Sequence, residues 1–175
     1  MSRSDSDRRS IAVRIASDGL LVALAMIFGY IESLLPAFTG IPGVKLGLAN
    51  LVMLSGLFLF GVPEVLMIMI LRIVLTGIMF GNVYSIIYSL AGGLLSLLVM
   101  IIMKRIKGLS IVGVSILGGV SHNMGQLIAA GVITGGISVI YYAPVLLISG
   151  TVCGMLIGIV AGRILDHLPT IRKEG

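Results

Sequence analysis

Three hydrogen-bonding side chains stand close together in the longest uncharged stretch of this chain. The stretch runs from Gly108 to Gly162, and within it His122 and Gln126 are four residues apart and Asn123 and Gln126 three apart. On a helix these side chains share one broad face. Polar groups in such apolar sequence need protein partners or a cavity. The spacing therefore predicts that they orient a ligand by hydrogen bonds, with interhelical hydrogen bonding alone as the alternative.

Two isolated cations and one carboxylate lie in other apolar stretches. These residues are Lys45, Arg72 and Glu32. A cation at membrane depth is costly without a counter-charge, so two cations against one carboxylate favour a ligand that carries negative charge. The alternatives are an ion pair of Arg72 with Glu32 that serves only assembly, and a Lys45 side chain that extends to the lipid headgroups.

Four further side chains are expected at the same depth in the membrane, those of Asn50, Asn82, Tyr84 and Tyr88. Tyr84 and Tyr88 are four residues apart, as are the serines that follow each of them, which indicates a polar and aromatic helix face. The tyrosines also fit an aromatic belt at the membrane surface. The sequence thus predicts a substrate-binding cluster made of Glu32, Lys45, Asn50, Arg72, Asn82, Tyr84, Tyr88, His122, Asn123 and Gln126.

The sequence gives little evidence of catalytic motifs. No nucleophile has a base nearby, no carboxylates are paired, and no Asp-rich motif could hold magnesium and diphosphate for prenyl transfer. The single cysteine, Cys153, is expected to be a small buried residue, since it can form neither a disulfide framework nor a metal-ligand pair. We therefore expect no enzyme activity, no cofactor and no metal site.

The composition is that of an integral membrane protein. Hydrophobic residues make up 58% of the chain and charged residues 11%, and the mean hydropathy is +1.18. Breaks at proline, glycine and charged residues predict a compact all-α bundle of six transmembrane helices in one domain. The predicted spans are 14–35, 45–61, 63–80, 83–103, 109–134 and 141–163.

The positions of the basic residues predict the orientation of the bundle. Ten of the twelve lie before the first span, between the fourth and fifth, or after the sixth, which the positive-inside rule makes cytoplasmic. Residues 1–13 and 164–175 are then polar cytoplasmic tails, and the polar cluster lies in the outer half of the membrane. The net charge of +5 follows from this topology, so no nucleic-acid partner is expected.

Small residues predict two helix-packing faces. Gly150, Gly154, Gly158 and Gly162 recur at every fourth position, a spacing that lets a neighbouring backbone approach closely. The first span carries small residues at a looser spacing, and these offer a contact for another membrane subunit: Ala12, Ala16, Gly19 and Ala23.

Three segments of the chain resemble a known bacterial family. They are residues 40–50, residues 80–93 with Phe80-Gly81-Asn82, and residues 121–127 with Ser121-His122-Asn123. They look like the Gx transporters, also labelled heptaprenyl diphosphate synthase component I. That family in turn resembles the substrate-binding S-components of energy-coupling factor (ECF) importers, six-helix proteins that capture a vitamin-like solute from outside.

The resemblance implies a function and partners. The chain would be the substrate-binding subunit of an importer in the bacterial cytoplasmic membrane, working with a transmembrane coupling subunit and two cytoplasmic ATPases. Small residues on the first helix would dock the coupling subunit. The ligand would be small and anionic or amphipathic, such as an isoprenoid or quinone precursor or a vitamin-like compound. The alternatives are a membrane anchor of a flavin-linked or quinone-linked electron-transfer system, and an accessory subunit in heptaprenyl diphosphate or menaquinone side-chain synthesis.

Overall fold

Six α-helices and one short 3₁₀ helix make up the described part of the chain. A computed structural model describes residues 3–34 and 47–167, and within them the side chains of residues 3–11, 14, 32–34 and 137 lie outside the description. The helices are α1 (Arg3–Leu34), α2 (Leu48–Leu59), α3 (Val62–Phe80), α4 (Val83–Lys104), α5 (Ile111–Thr134) and α6 (Ala143–His167), with the 3₁₀ helix (Ile137–Tyr142) between α5 and α6. The predicted all-α fold class is confirmed.

Local signals explain where the helices begin and end. Pro63 and Glu64 lie in the first turn of α3, where a missing N–H and a negative charge are both favourable. The Asn82 side chain accepts a hydrogen bond from the Ser85 N–H at 2.9 Å and so caps α4. Gly135 ends α5 with a φ of 62°, a left-handed conformation that glycine adopts without strain.

Four helices in the described part of the chain are long and apolar enough to cross a membrane. They are α3, α4, α5 and the segment Ser138–His167, which contains α6. Helix α1 covers residues 14–34 of the first predicted span, whereas α2 has 12 residues and is shorter than the predicted span 45–61. At 1.5 Å per residue α2 covers roughly 18 Å, against a hydrocarbon core of about 30 Å. At the other extreme, α1 begins at Arg3, inside the segment predicted to be a polar tail.

Glycines bring α5 into close contact with α4 and α6. A Cβ atom added at Gly154 would lie 2.8 Å from the Ile116 Cα, and one added at Gly125 would lie 2.6 Å from the Ala91 carbonyl oxygen. Such distances are shorter than real Cβ contacts allow, so only glycine permits these helices to approach as they do. Gly150 and Gly158 meet the α5 backbone in the same way, whereas a Cβ at Gly162 would meet nothing within 4 Å. The predicted packing stripe therefore stops before Gly162.

The apolar core occupies one half of the bundle. It joins the end of α2 to the start of α3, the end of α4, the start of α5 and the end of α6, with the fully buried Leu57, Val65 and Val114 among its members. Lys104 ties the same half together, because its Nζ donates a 2.5 Å hydrogen bond to the Leu57 carbonyl oxygen and lies over the Phe58 ring. Among the described residues, the opposite half of the bundle, where α1, α3 and α5 end, surrounds a cavity and is the hollow half of the bundle.

Candidate ligand-binding cavity

A cavity of about 210 Å³ occupies the hollow half of the bundle. All six helices contribute to its wall, which places it on the bundle axis rather than in a surface groove. Its lining consists of Gly29 from α1, Gly47, Ala49 and Asn50 at the start of α2, Arg72, Ile73, Thr76, Gly77, Phe80 and Gly81 from α3, Ser85 and Ser89 from α4, Gly119, His122, Asn123 and Gln126 from α5, and Gly150, Cys153, Gly154 and Ile157 from α6.

The polar turn of α5 faces this cavity. His122, Asn123 and Gln126 all line it, as their helical spacing predicts, and His122 and Gln126 are half-buried. Ser121 does not line it, and its hydroxyl donates to the Leu117 carbonyl oxygen of its own helix at 2.7 Å. Adjacent residues of α5 thus differ: His122 lines the cavity, whereas the Ser121 hydroxyl forms its hydrogen bond within the helix.

Asn123 holds α5 to α6 as well as lining the cavity. Its side chain is 8% exposed, and its Nδ2 donates to the Leu146 carbonyl oxygen at 2.7 Å and to the Ser149 hydroxyl at 3.2 Å. The amide nitrogen is therefore committed to α6. The amide oxygen is left as the group that can accept a hydrogen bond from a ligand.

Arg72 and Asn50 form the floor of the cavity. Both also line a second, much smaller cavity of about 10 Å³, which lies towards the packed half and is bounded by buried methionines and by Ser96. The Ser96 hydroxyl is buried and has no hydrogen-bond partner within residues 3–34 and 47–167. Because a cavity of this size holds about one water molecule, the floor separates the ligand-sized space from a water-sized one.

The α4 side chains in the wall are serines rather than tyrosines. Ser85 and Ser89 line the cavity, whereas Tyr84 is 59% exposed and neither it nor Tyr88 is part of the lining. The two residue pairs differ by one position, or about 100° around the helix. Asn82 is exposed and acts as the cap of α4, so the structure does not bring it into the cavity either.

Two members of the predicted cluster cannot be placed. The side chain of Glu32 and the whole of Lys45 lie outside the described residues. The proposed ion pair between Arg72 and Glu32 therefore stays a prediction. Among the side chains that the structure does describe, Arg72 is the one residue of the lining with a permanent charge.

Sequence reasoning missed several residues of the lining. Phe80 contributes at the end of α3, where its ring lies 4.8 Å from the ring of Tyr30 on α1. Cys153 and Gly29 also line the cavity. The sequence could have indicated the position of Cys153, because this residue is next to Gly154 of the glycine stripe and four residues before Ile157, which also lines the cavity.

Gly92 sets the positions of two cavity side chains without lining the cavity itself. A Cβ atom there would lie 2.8 Å from the Gln126 Cγ and 2.8 Å from the His122 carbonyl oxygen. The missing side chain lets α5 lie directly against α4 at this level. His122 and Gln126 are consequently held at the cavity wall by packing.

The small residues of α1 are exposed. Ala12, Ala16, Gly19 and Ala23 all lie on the outer surface of the bundle, and a Cβ atom at Gly19 would meet nothing within 4 Å. Helix α1 packs on α2 and α3 through residues such as Val22 and Ala25. Its opposite face contacts no other helix of the described bundle.

The arrangement is suited to binding and orienting an anionic solute. A guanidinium group at the floor attracts negative charge, and amide, hydroxyl and imidazole groups on four helices surround it. No group of three His, Cys, Asp or Glu side chains within the described residues is placed to hold a metal ion. The described wall can offer a bound molecule hydrogen bonds and a contact with one guanidinium group.

Comparison with known proteins identifies one family. A family model described as heptaprenyl diphosphate synthase component I matches residues 21–164, which include all three segments that suggested this family. A search of curated proteins and a search of solved structures found no match.

Proposed function

The chain belongs to the heptaprenyl diphosphate synthase component I family, and we propose that it is the substrate-binding membrane subunit of an importer for a small anionic solute. One observation carries the proposal, namely the cavity with Arg72 at its floor. A guanidinium group in a cavity wall can form charge-assisted hydrogen bonds with an anionic solute.

The distribution of basic residues supports a cavity that opens to the outside. Lys104, Arg105 and Lys107 lie at the end of α4 and Arg163 near the end of α6, all in the packed half and opposite to the cavity. The positive-inside rule assigns that half to the cytoplasm. A solute would then enter from outside, as a subunit that captures solutes for import requires.

The exposed small residues of α1 support a membrane partner. We assign Ala12, Ala16, Gly19 and Ala23 to docking of a transmembrane coupling subunit, which would connect the chain to two ATPases of an ECF module. Small side chains allow another helix to approach closely in a membrane. In this proposal the chain is not an enzyme, and it resides in the bacterial cytoplasmic membrane with lipid around its apolar surface.

Replacement of cavity residues tests the binding role. The protein is purified in lipid nanodiscs without harsh washing, and native mass spectrometry measures the solute that remains bound. Arg72→Ala and Gln126→Ala should each lower its occupancy at least tenfold, because they remove a charge-assisted and a neutral hydrogen bond from one site. Ser121→Ala and Arg105→Ala are matched controls outside the cavity and should retain the solute. Equal occupancy in all four folded variants would show that the cavity is not the binding site.

The family description favours a second candidate function, that of a membrane accessory to heptaprenyl diphosphate synthesis. The same gentle purification separates the two functions by the proteins that accompany the chain. Coupling ATPases support import, whereas a soluble prenyl synthase supports the accessory role. Deletion of the chain would then abolish prenyl transfer even when precursors are supplied inside the cell.

A further inference from the structure

A buried serine hydroxyl of α4 lacks the hydrogen bond that other helix hydroxyls of this chain form. Ser121, Thr134 and Thr151 each donate to the carbonyl oxygen four residues earlier, at 2.7, 2.8 and 2.8 Å. The Ser96 side chain is 2% exposed, and its hydroxyl has no hydrogen-bond partner among the residues that the structure describes. A hydroxyl that loses water without gaining a new partner costs free energy, so a ligand at this position would be favourable.

Helix α5 presents a glycine to this hydroxyl. A Cβ atom added at Gly118 would lie 3.4 Å from the Ser96 Oγ and 2.7 Å from the Met100 Cγ. Glycine brings no polar side chain to this contact, and the thioether of Met100 is a weak hydrogen-bond acceptor. A strong partner for the hydroxyl therefore has to lie on another side of Ser96.

On another side, Ser96 lines the small cavity beneath the floor of the ligand cavity. This space measures about 10 Å³, and Asn50 of α2 and Arg72 of α3 line it as well. About 10–15 Å³ is enough for one water molecule where roughly two to four polar groups surround it. Three residues from three helices supply such groups, since a hydroxyl and an amide can both donate and accept hydrogen bonds.

Arg72 can bond to a water here in addition to any other partner that it has. A guanidinium group carries five N–H donors in a planar fork, so one hydrogen bond to a water leaves donors for a solute or for another protein group. Because Arg72 lines both cavities, its two sides can serve different ligands.

We infer that the small cavity is the binding site of one structural water molecule that connects α2, α3 and α4. The water bonds to the Ser96 hydroxyl and bridges it to Asn50 and Arg72. The floor of the ligand cavity then consists of polar groups joined across three helices. The inference goes beyond the proposed function, because it does not depend on what the larger cavity binds.

Ser55 provides a matched control for a test by substitution. Its hydroxyl oxygen is buried and also has no hydrogen-bond partner in the described part of the chain, but Ser55 lines neither cavity. Ser96→Ala should lower the midpoint of thermal unfolding of the full chain in nanodiscs by about 2–4 °C, because the water loses one of its partners. Ser55→Ala should leave the midpoint unchanged or raise it, since alanine removes a hydroxyl without a partner and favours helix. An unchanged or raised midpoint for Ser96→Ala would overturn the inference.

A high-resolution structure of the wild-type chain checks the site directly. Density for a water oxygen should lie roughly 2.5–3.2 Å from the Ser96 Oγ and from a polar atom of Asn50 or Arg72. No density at this position, or a Ser96 hydroxyl bonded to the Gly92 carbonyl oxygen, would overturn the inference whatever the stability of the variants. Neither result bears on the importer proposal, which the retained solute and Arg72→Ala test separately.

Discussion

At the scale of single residues, Asn123 links the cavity to the packing of the bundle. Its Nδ2 donates across the α5–α6 interface, and interhelical hydrogen bonds in membranes contribute about 0.6 kcal/mol each on average. We expect Asn123→Ala to lower the free energy of unfolding by roughly 1–2 kcal/mol, since the side chain is also buried. The folded fraction after heating, measured by size-exclusion chromatography, checks this expectation.

Ser121→Ala is the control for this experiment, because the Ser121 hydroxyl bonds only within its own helix. Its unfolding midpoint should match that of the wild type. If Asn123→Ala proved as stable as Ser121→Ala, the contacts of Asn123 with α6 would contribute nothing measurable to the bundle.

Residue types predicted part of the cavity and left part of it unseen. Arg72, Asn50 and the polar turn of α5 are conspicuous because polar groups in apolar helices must have a reason to be there. Gly29 and Phe80 carry no such signal, since glycine and phenylalanine are ordinary in membrane helices. Their place in the wall depends on how α1 packs against α3, which no local pattern specifies.

At the scale of helices, the glycine stripe of α6 offers an internal comparison. We expect Gly154→Ala to lower the free energy of unfolding by about 1–3 kcal/mol, because its Cβ would meet the α5 backbone and neither helix can yield easily. Gly162→Ala has open space and should be neutral or slightly stabilising, as alanine favours helix more than glycine does. Thermal unfolding of both variants in the same detergent measures the difference.

A loss of stability that was the same at both positions would contradict this account. It would mean that glycine matters for the flexibility of α6 and not for close approach to α5. The separation of the helices would then have to be set by larger side chains at the interface.

Helix boundaries were largely predictable, whereas rotation about a helix axis was not. Apolar runs end at charges, prolines and glycines, so the ends of α3, α4 and α5 lie at or close to their predicted positions. The tyrosines of α4 were expected in the cavity, on one face with the adjacent serines, and of these residues only the serines line it. Rotation by one residue depends on contacts with α3 and α5, and in lipid both faces of a helix can be apolar, so hydropathy alone does not distinguish them.

At the scale of the whole molecule, the bundle combines a packed half with a hollow half. Tight glycine contacts join α4, α5 and α6, and the core that includes Leu57 and Val65 fills the space beneath the cavity. A small bound solute would therefore add contacts mainly between the helices α1, α2 and α3 and the helices α4, α5 and α6.

The orientation of this hollow half in the membrane is the property on which import depends, and Cys153 reports on it. This single cysteine lines the cavity, so a membrane-impermeant thiol reagent added to intact cells should label it if the cavity opens to the outside. In a Cys153→Ala background, Lys107→Cys lies at the opposite end of the bundle and should be labelled only after permeabilisation. Mass spectrometry of the purified chain measures both modifications. Labelling of Lys107→Cys from outside, with Cys153 protected until permeabilisation, would reverse the orientation and rule out capture of a solute from the exterior.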